Sequence, residues 1–436
     1  MKILIYKIPD TWEWIEIHQI GNIETGTTPS KKDRSNYGDD FPFYKPTELE
    51  AGINVRKSRE KLSKKGIKKA RLLPKNSILV TCIGATIGKT GIIRNEGASN
   101  QQINSIVPIG NINPNFVYYQ VICPFFQSQI INKSSSTTLP ILNKSRFSNL
   151  LFALAPFNEQ NRIVEKIEEL FSDLDKATDD LIKTQEQLKI YRQAVLKAAF
   201  EGKLTEEWRE QNNIELSFKE ISLIDVADII LGQSPPSSTY NTNRVGLPFY
   251  QGKKEFGDLY PTPEKYCSEP KKIAEPDDIL ISVRAPVGST NFCRDKSCIG
   301  RGLAAIRVKE RIKNYYLFYY LRYFVFNLIE KSTGTTFNAI SKNVLEGFKV
   351  LLFSLQEQQQ IINEIESRLS VCDKLEETVQ QSLEKIDYLR QSILKKAFEG
   401  KLVQQDSNDE TAEKLLERIK LEKEKIELNN RKRKTR

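Results

Sequence analysis

The amino-acid sequence predicts an α+β protein in which two tandem mixed α/β globular units are each followed by a long helix. Three observations predict this class: an internal repeat, a heptad pattern in both copies, and short β-rich runs between turn residues. A chain of 436 residues is too long for one ordinary core. Hydrophobic residues at 39% and aromatic residues at 9% are enough for packed cores, so general disorder is excluded.

The internal repeat has an offset of about 198 residues and gives the chain a pseudo-twofold organisation. Residues 137–204 align without a gap onto residues 335–402, with about 23 identities in 68 positions. The densest match ends in the closing sequence Ala-Phe-Glu-Gly-Lys-Leu, which is identical at residues 199–204 and 397–402. The repeat continues upstream, where Gly26 and Pro29 match Gly232 and Pro235. The chain therefore contains two copies of one unit.

A heptad pattern predicts a helix of roughly 40 residues, or about 60 Å, at the end of each copy. Ser354, followed three residues later by Glu357, predicts a capping box, and Gly202 and Gly400 stand where helix C-caps belong. Because the two patterns match in length, we expect the helices to pair with each other. Two separate helices, each packed on its own globular part, are the alternative. The predicted seam positions are Ile163, Ile167, Leu170, Leu174, Ala177, Leu181, Thr184, Leu188, Tyr191, Val195 and Ala198 in copy one, and Ile361, Ile365, Cys372, Leu375, Val379, Ser382, Ile386, Leu389 and Ile393 in copy two.

The predicted segment boundaries follow from these patterns. Globular parts occupy 1–153 and 214–352, helical regions occupy 154–204 and 353–402, a linker spans 205–213, and a charged, partly helical tail spans 403–436. Strands are predicted at residues 77–81 and 278–282, and a helix is predicted to begin near Pro114.

The basic excess lies on the globular parts. Residues 1–154 carry 21 basic and 11 acidic groups, and residues 213–353 carry 19 and 15. Residues 155–212 have a net charge of −4 and residues 354–436 are neutral. Two basic heads on a non-basic spacer predict two contacts with a polyanion, most simply nucleic-acid phosphates. For the run from Arg56 to Arg71, a solvated lysine-rich loop is an equal alternative.

Several classes of function are disfavoured. The one histidine, His18, excludes sites built on His pairs, and the six cysteines form no Cys-x-x-Cys pair. No apolar run is long enough to cross a membrane, and the first residues do not resemble a signal peptide, so a cytoplasmic protein is expected.

Two motifs suggest chemistry but do not fit it. Residues 84–90 resemble a phosphate-binding loop, yet only three residues separate Gly84 and Gly88, and a strand is expected next. A turn between strands is therefore predicted. Asn113-Pro114-Asn115-Phe116 resembles the Asn-Pro-Pro-aromatic motif of amino-methyltransferases but lacks its second proline, so a helix start is predicted.

The repeated closing sequence and the helix openings that contain Glu-Gln resemble the specificity subunit of type I restriction–modification enzymes. The Gly-x-x-Pro loops at Gly26 and Gly232 are similar to that family as well. The resemblance implies that each globular unit is a target recognition domain reading half of a bipartite sequence in double-stranded DNA. It also implies an antiparallel helix pair that separates the domains and docks two modification subunits, with restriction subunits in the full complex. The chain itself would hold no cofactor and perform no catalysis, since S-adenosylmethionine, ATP and Mg would be bound by the partner subunits. The extended tail after Gln404 departs from this pattern.

Base reading requires polar side chains on loops of the basic units, Arg for guanine and Gln or Asn for adenine. Taken alone, each candidate is more simply interpreted as a phosphate contact or a surface residue than as a base reader. The DNA-binding candidates are Thr27, Thr28, Ser30, Lys31, Lys45, Gln101, Gln102, Gln233, Ser234, Gln251, Arg284 and Arg301.

For partner subunits, the predicted contact residues lie at the two ends of each helical region. They are Glu159, Gln160, Phe200, Glu357, Gln358 and Phe398. As an alternative, the two phenylalanines cap the core of the helix pair. The whole chain could also be a coiled-coil scaffold whose basic heads bind protein partners, or a DNA enzyme with unrecognised catalytic residues.

Overall fold

The computed structural model describes residues 6–135, 139–331 and 339–434, and the chain divides into two compact units. Unit 1 combines residues 1–180 with residues 382–436, and unit 2 is residues 181–381. Both division points fall inside the long helices, so each unit contains one globular domain and half of each helix. Thr137 and Thr335, at the start of the aligned repeat, lie outside the described residues.

Within the described residues, the globular domain of unit 1 contains three small sheets. A four-stranded antiparallel sheet has the order β2-β8-β5-β6, a three-stranded sheet has the order β4-β3-β7, and β1 pairs with β9. The β3 and β7 strands are parallel, and the other pairs are antiparallel. The strands are β1 (Glu13–Glu16), β2 (Gly21–Thr25), β3 (Tyr37–Tyr44), β4 (Glu60–Leu62), β5 (Ile78–Thr81), β6 (Thr90–Ile92), β7 (Ala98–Ser99), β8 (Ile103–Pro108) and β9 (Leu151–Leu154). The helices are α1 (Lys64–Ile67), α2 (Pro114–Ile122), α3 (Pro124–Lys133), α4 (Lys144–Ser148) and the long α5 (Phe157–Phe200).

Unit 2 repeats this topology with two additional short strands, one at each edge of the sheet that holds the parallel pair. Its sheets have the orders β11-β19-β16-β17, β12-β14-β13-β18-β15 and β10-β20, and β13 and β18 are again parallel. The strands are β10 (Lys219–Ser222), β11 (Ala227–Leu231), β12 (Tyr240–Asn241), β13 (Leu247–Tyr250), β14 (Lys265–Cys267), β15 (Ile273–Ala274), β16 (Ile279–Ser282), β17 (Thr290–Phe292), β18 (Ser297–Ile299), β19 (Leu303–Val308) and β20 (Lys349–Leu352). The helices are α6 (Glu206–Gln211), α7 (Leu223–Val226), α8 (Asn314–Lys331), α9 (Lys342–Glu346), α10 (Leu355–Phe398) and, returning to unit 1, α11 (Ala412–Lys434).

Both dismissed motifs have the local structure predicted for them. Gly84 to Lys89 form the turn between β5 and β6, and Asn113 caps α2 by accepting from the backbone N–H groups of Asn115 and Phe116. Pro114 occupies the first turn, where its missing N–H costs no hydrogen bond.

The two long helices each contain 44 residues and end in the same way. Gly202 and Gly400 have φ of +76° and +69°, the left-handed conformation that glycine adopts without strain. The Lys203 N–H donates to the Ala198 carbonyl, and the Lys401 N–H donates to the Lys396 carbonyl, which completes a Schellman cap in both. At the other end of α10, the predicted capping box is only half formed. The Glu357 N–H donates to Ser354 Oγ, but the Glu357 side chain bonds elsewhere.

The helices pair antiparallel within each unit, which confirms the predicted fold class. In unit 1, Asp175 of α5 forms an ion pair with Arg390 of α10, whose guanidinium also stacks over Phe171 at 4.9 Å. In unit 2, Arg192 of α5 pairs with Asp373 at 2.5 Å and with Glu376 at 3.1 Å. The two arginines are repeat-equivalent, as are Asp175 and Asp373.

The continuous heptad seam predicted along each helix is wrong at four positions. Ala177, Tyr191, Leu375 and Leu389 are exposed. The helix ends are covered instead by the globular domains: Ile163 and Ile167 join the core of unit 1, and Ile361 and Ile365 join that of unit 2. A pattern of apolar residues records only that a face is buried, so the sequence did not distinguish a helix partner from a domain surface.

The C-terminal helix α11 belongs to the core of unit 1. Ala412, Leu415, Leu416 and Ile419 are buried there, and the Ala412 N–H donates to the Thr11 carbonyl at 3.0 Å. The tail after Gln404 is thus an integral layer of the first domain.

Candidate nucleic-acid interface

In unit 1, three loops meet at one end of the sheets and carry most of the predicted DNA-binding residues. We call residues 26–31, 45 and 99–102 loop cluster 1. The Thr27 N–H donates to the Ser99 carbonyl at 3.0 Å, and the Asn100 N–H donates to the Tyr44 carbonyl at 3.1 Å. Thr28 donates its hydroxyl to Gln101 Oε1. The structure therefore brings together side chains that lie far apart in sequence.

The glycine of the Gly-x-x-Pro motif is explained by this close approach. A Cβ on Gly26 would lie 2.1 Å from the Asn100 carbonyl oxygen, and a Cβ on Gly232 would lie 2.1 Å from that of Gly300. No side chain fits at either position. The proline of the motif makes the same hydrogen bond in both units. The Tyr37 hydroxyl donates to the Pro29 carbonyl, and the Tyr240 hydroxyl donates to the Pro235 carbonyl.

Unit 2 has the same arrangement, which we call loop cluster 2 and define as residues 232–235, 251 and 299–302. The Gln233 N–H donates to the Ile299 carbonyl at 3.0 Å, and the Gly300 N–H donates to the Tyr250 carbonyl at 2.8 Å. The Arg301 N–H donates to Ser234 Oγ at 3.2 Å. Arg284 lies next to this cluster, because the N–H of the preceding Val283 donates to the Gly302 carbonyl at 2.9 Å.

The predicted DNA-binding residues are all at least partly solvent-accessible, but they differ in how free their side chains are. Lys31 and Lys45 share the Glu60 carboxylate at 3.3 and 2.5 Å, and the hydrogen bond from Lys45 lowers the pKa of Glu60. Gln102 accepts from Asn100 Nδ2 at 2.9 Å within the loop. Gln101, Gln233, Gln251, Arg284 and Arg301 are exposed.

The basic surface is much stronger in unit 1. Residues 31–75, which contain β3, β4 and α1, carry 14 basic and 6 acidic groups, whereas the matching residues 237–276 carry 6 and 5. Lys65 and Lys69 are held by Asp33 at 3.2 and 3.1 Å, and hydrogen bonds from Ser35 and these two lysines lower the pKa of Asp33. Other exposed cations in this surface make no ion pair with any residue that the structure describes; they are Lys32, Arg34, Arg56, Lys57, Arg59, Lys64, Lys68 and Lys75.

The six predicted partner contacts are wrong as surface residues, because all six are buried inside the chain. Gln160 and Gln358 are fully buried and do the same job in both units. Their Oε1 atoms accept from the backbone N–H of Asn113 at 3.0 Å and of Lys313 at 2.7 Å, and their amides donate to the carbonyls of Ala155 and Phe353. These glutamines fasten the start of each long helix to its own globular domain.

Phe200 and Phe398 fill the cores of the domains and do not cap the helix pair. Phe398 packs edge-on against Phe116 with ring centroids 5.4 Å apart. Phe200 packs against Tyr316 at 5.5 Å and Tyr320 at 4.9 Å. The closing sequence therefore has the same structural role in both copies: it anchors the end of a long helix to a globular domain.

The two buried glutamates have different partners. Glu357 forms an ion pair with Arg209 at 2.5 Å and accepts from the Thr205 hydroxyl at 2.9 Å. Glu159 accepts from Trp12 Nε1 at 2.9 Å and from Gln405 Nε2 at 2.5 Å, and burial raises its pKa. Sequence reasoning missed Arg209, Trp12 and Gln405, since the contacts join residues about 150 to 250 positions apart.

Exposed apolar residues on the helices were also missed. Ile190 is 65% exposed and its repeat-equivalent Tyr388 is 77% exposed, with Tyr191 and Leu389 beside them at 45% and 41%. The sequence contained a signal for these exposed residues: two apolar residues stand side by side at 190–191 and again at 388–389. In each pair only the second residue, Tyr191 or Leu389, fits the heptad.

Two kinds of feature are missing from the described residues. Helices long and apolar enough to cross a membrane are absent from that part of the chain. So are clusters of three or more His, Cys, Asp or Glu side chains suited to a metal ion.

The fold and the loop clusters define a duplicated two-domain protein with matched polar loop sites and paired helices. The family model described as the type I restriction modification DNA specificity domain matches residues 9–189 and 216–385. The chain therefore belongs to the type I restriction–modification specificity family.

Known relatives span nearly the whole chain. The chain is 31% identical to a putative type I restriction enzyme MjaX specificity subunit from Methanocaldococcus jannaschii, covering 92% of this chain and 96% of the relative. It is 25% identical to the StySPI specificity subunit of Salmonella potsdam, covering 96% of each. Among solved structures, the HsdS subunit of Thermoanaerobacter tengcongensis is similar, with 29% identity, a TM-score of 0.60 and coverage of 92% of this chain and all of that one. A chain from a type I R-M system, solved in work on complex assembly and conformational transition, matches with 29% identity, a TM-score of 0.75 and coverage of 91% and 100%.

Proposed function

We propose that this chain is the DNA-recognition subunit of a type I restriction–modification complex, with each domain reading one half of a bipartite target. The observation that carries the proposal is the duplication of the loop cluster: two domains of one family each present polar side chains on a backbone-clamped surface. Basic groups around loop cluster 1 supply phosphate contacts, which position a protein on the duplex without reading sequence.

The proposed complex also contains two modification subunits and restriction subunits. In it, this chain performs no catalysis, and S-adenosylmethionine, ATP and Mg are bound by the partners. The proposed place of action is the cytoplasm.

The proposed docking surface for the modification subunits is the exposed apolar part of the helices. Ile190 with Tyr191, and Tyr388 with Leu389, lie at positions 198 residues apart. Two copies of one partner could each use the same feature of the repeat. Exposed apolar side chains grouped in this way are typical of interaction sites.

The test is co-expression with the modification subunits, followed by sequencing of methylated bases across a genome that lacks other methylation. We expect one bipartite motif with a fixed spacer. Absence of any motif from an assembled complex would overturn the proposal. DNA binding that is lost as salt rises favours recognition of a duplex, whereas salt-insensitive binding to a protein partner alone favours the scaffold alternative.

The helix pair is proposed to set the spacer between half-sites. Since Asp175 pairs with Arg390 and Arg192 with Asp373, a heptad removed from one helix must be removed from both. Deleting residues 178–184 together with 376–382 shortens the pair by about 10 Å, or about three base pairs. The spacer in the methylated motif should shorten accordingly; an unchanged spacer in an active complex contradicts this role.

A further inference from the structure

Each loop cluster contains a four-residue turn whose second residue projects into solvent. The turns are 100–103 in unit 1 and 300–303 in unit 2, and each closes with a hydrogen bond between its ends. The Ile103 N–H donates to the Asn100 carbonyl at 3.2 Å, and the Leu303 N–H donates to the Gly300 carbonyl at 3.0 Å. The projecting residues are Gln101 and Arg301.

Three further contacts clamp each turn from different sides. Its first residue bonds to the end of the parallel strand, at Tyr44 or Tyr250. Its third residue, Gln102 or Gly302, accepts from the N–H of Cys82 at 2.7 Å or of Val283 at 2.9 Å. The glycine of the Gly-x-x-Pro loop packs against the first residue, as described above. A projecting side chain is therefore mounted on a rigid base, which is what a reading position requires.

The backbone hydrogen bonds of the turn are the same in both units, but the projecting side chain differs. Gln101 carries no charge and gains little from a phosphate, whereas a glutamine amide matches N6 and N7 of adenine in the major groove. The guanidinium of Arg301 matches O6 and N7 of guanine, and it forms no ion pair with any described residue of the chain. If these turns only held phosphates, a basic residue would be expected at both.

Neighbouring hydroxyls support the two side chains differently. Thr28 donates to Gln101 Oε1 and so fixes the orientation of the amide, leaving Nε2 and the second Oε1 lone pair to face a base. In unit 2, Ser234 accepts from the Arg301 backbone N–H, and no residue in the described part of the chain forms an ion pair with the guanidinium.

We propose that Gln101 reads an adenine in one half-site and that Arg301 reads a guanine in the other. The proposal rests on the proposed function, because it assigns specificity within loop clusters 1 and 2. The two residues occupy equivalent turn positions in the two domains, and the side chain at that position selects the base.

The experiment exchanges the two side chains separately, as Gln101→Arg and Arg301→Gln, in the complex with modification subunits. Methylated motifs are read from genomic DNA, and binding of the purified complexes is measured on duplexes with each base at each position. We expect Gln101→Arg to change one A to G in one half-site only, and Arg301→Gln to change one G to A in the other. The preference at that position should shift by about five- to a hundredfold. Lys414→Ala, at an exposed position on α11 outside both loop clusters and the basic surface, is the control and should leave the motif unchanged.

The outcomes separate this inference from the proposed function. If the unsubstituted complex shows no bipartite motif, the proposed function fails. If that motif is present and neither exchange alters it, or if both exchanges weaken binding equally on all sequences, the base-reading role is wrong. Because both side chains project into solvent, Gln101→Ala and Arg301→Ala should fold normally. Each should relax the preference at one position in the duplex-binding measurement, and retention of that preference would also overturn the inference.

Discussion

Units 1 and 2 keep the same buried glutamate at the start of a long helix, yet they satisfy it in different ways. In unit 2, Glu357 is paired with Arg209, and the two side chains are 2% and 8% exposed. In unit 1, Glu159 receives hydrogen bonds from Trp12 and Gln405, while Arg162, three residues along the same helix, is engaged by Asp409. The position of the buried glutamate is the same in both copies, but the side chains that bond to it are different.

The same contrast holds at the surface. Residues 31–75 are strongly basic and residues 237–276 are nearly neutral, although they occupy matching places in the topology. Gln160 and Gln358, by contrast, make the same bonds in both units. The two units thus share the glutamine bonds that hold each long helix to its domain, whereas the partners of the buried glutamate and the charge of the solvent-facing segment differ.

The largest expected effect falls on the feature that the units share most closely. Phe398→Ala in unit 1 and Phe200→Ala in unit 2 should each lower the free energy of unfolding by about 3–5 kcal/mol, because each removes a buried ring from a domain core. Denaturant unfolding measures the loss, and hydrogen exchange shows which unit is affected. A large effect in only one unit would contradict the equivalence of the two anchors.

The next effect should appear only in unit 2. Arg209→Met leaves Glu357 buried without its cation and should cost about 3 kcal/mol. The double variant Arg209→Met with Glu357→Met should recover most of that loss. In unit 1, Gln405→Met removes a hydrogen bond to Glu159 and should cost less, about 1–3 kcal/mol. Equal losses of unfolding free energy for Arg209→Met and Gln405→Met would contradict the predicted difference between the surroundings of Glu357 and Glu159.

The pH dependence of stability should also distinguish the surroundings of Glu159 from those of Glu357. Burial raises the pKa of Glu159 above its usual range, so its contribution is fully present below the ordinary glutamate pKa and is lost as pH rises through the raised value. The stability of the unsubstituted protein relative to Glu159→Gln should therefore fall as pH rises from about 4 toward neutrality. Thermal unfolding at several pH values measures this difference, with Glu165→Gln on the same helix as the control for the substitution. A constant difference across that pH range would show that Glu159 does not titrate in this way.

The smallest expected effects concern the ion pairs between the helices. Arg192→Ala and Arg390→Ala should each cost about 0.2–1 kcal/mol, since both pairs are partly exposed to solvent. Raising the salt concentration should reduce the cost in both units alike. Costs above about 2 kcal/mol would mean that the pairs act as buried ones.

Much of this architecture could be predicted from the sequence because its signals are local or repeated. The long helices, their glycine caps and the strand at residues 78–81 follow from patterns within a few turns of chain. The loop clusters were predicted as sets of residues, but the mounting of Gln101 and Arg301 on equivalent turns depends on the parallel strand pairs β3/β7 and β13/β18. The predicted partner contacts at Glu159 and Phe398 were wrong, because these side chains are covered by residues that are distant in the sequence. The helix pattern alone does not show that cover.

The composition of unit 1 also has a consequence during protein synthesis. Its core needs Leu394, Phe398, Leu415 and Ile419 from the end of the chain, whereas unit 2 is one continuous stretch. A ribosome adding about 5–20 residues per second finishes the first globular domain roughly 10 to 50 seconds before it supplies those residues. During that interval the nascent first domain exposes apolar surface that only the last-made helices can cover. The first domain to leave the ribosome is therefore the last to be completed.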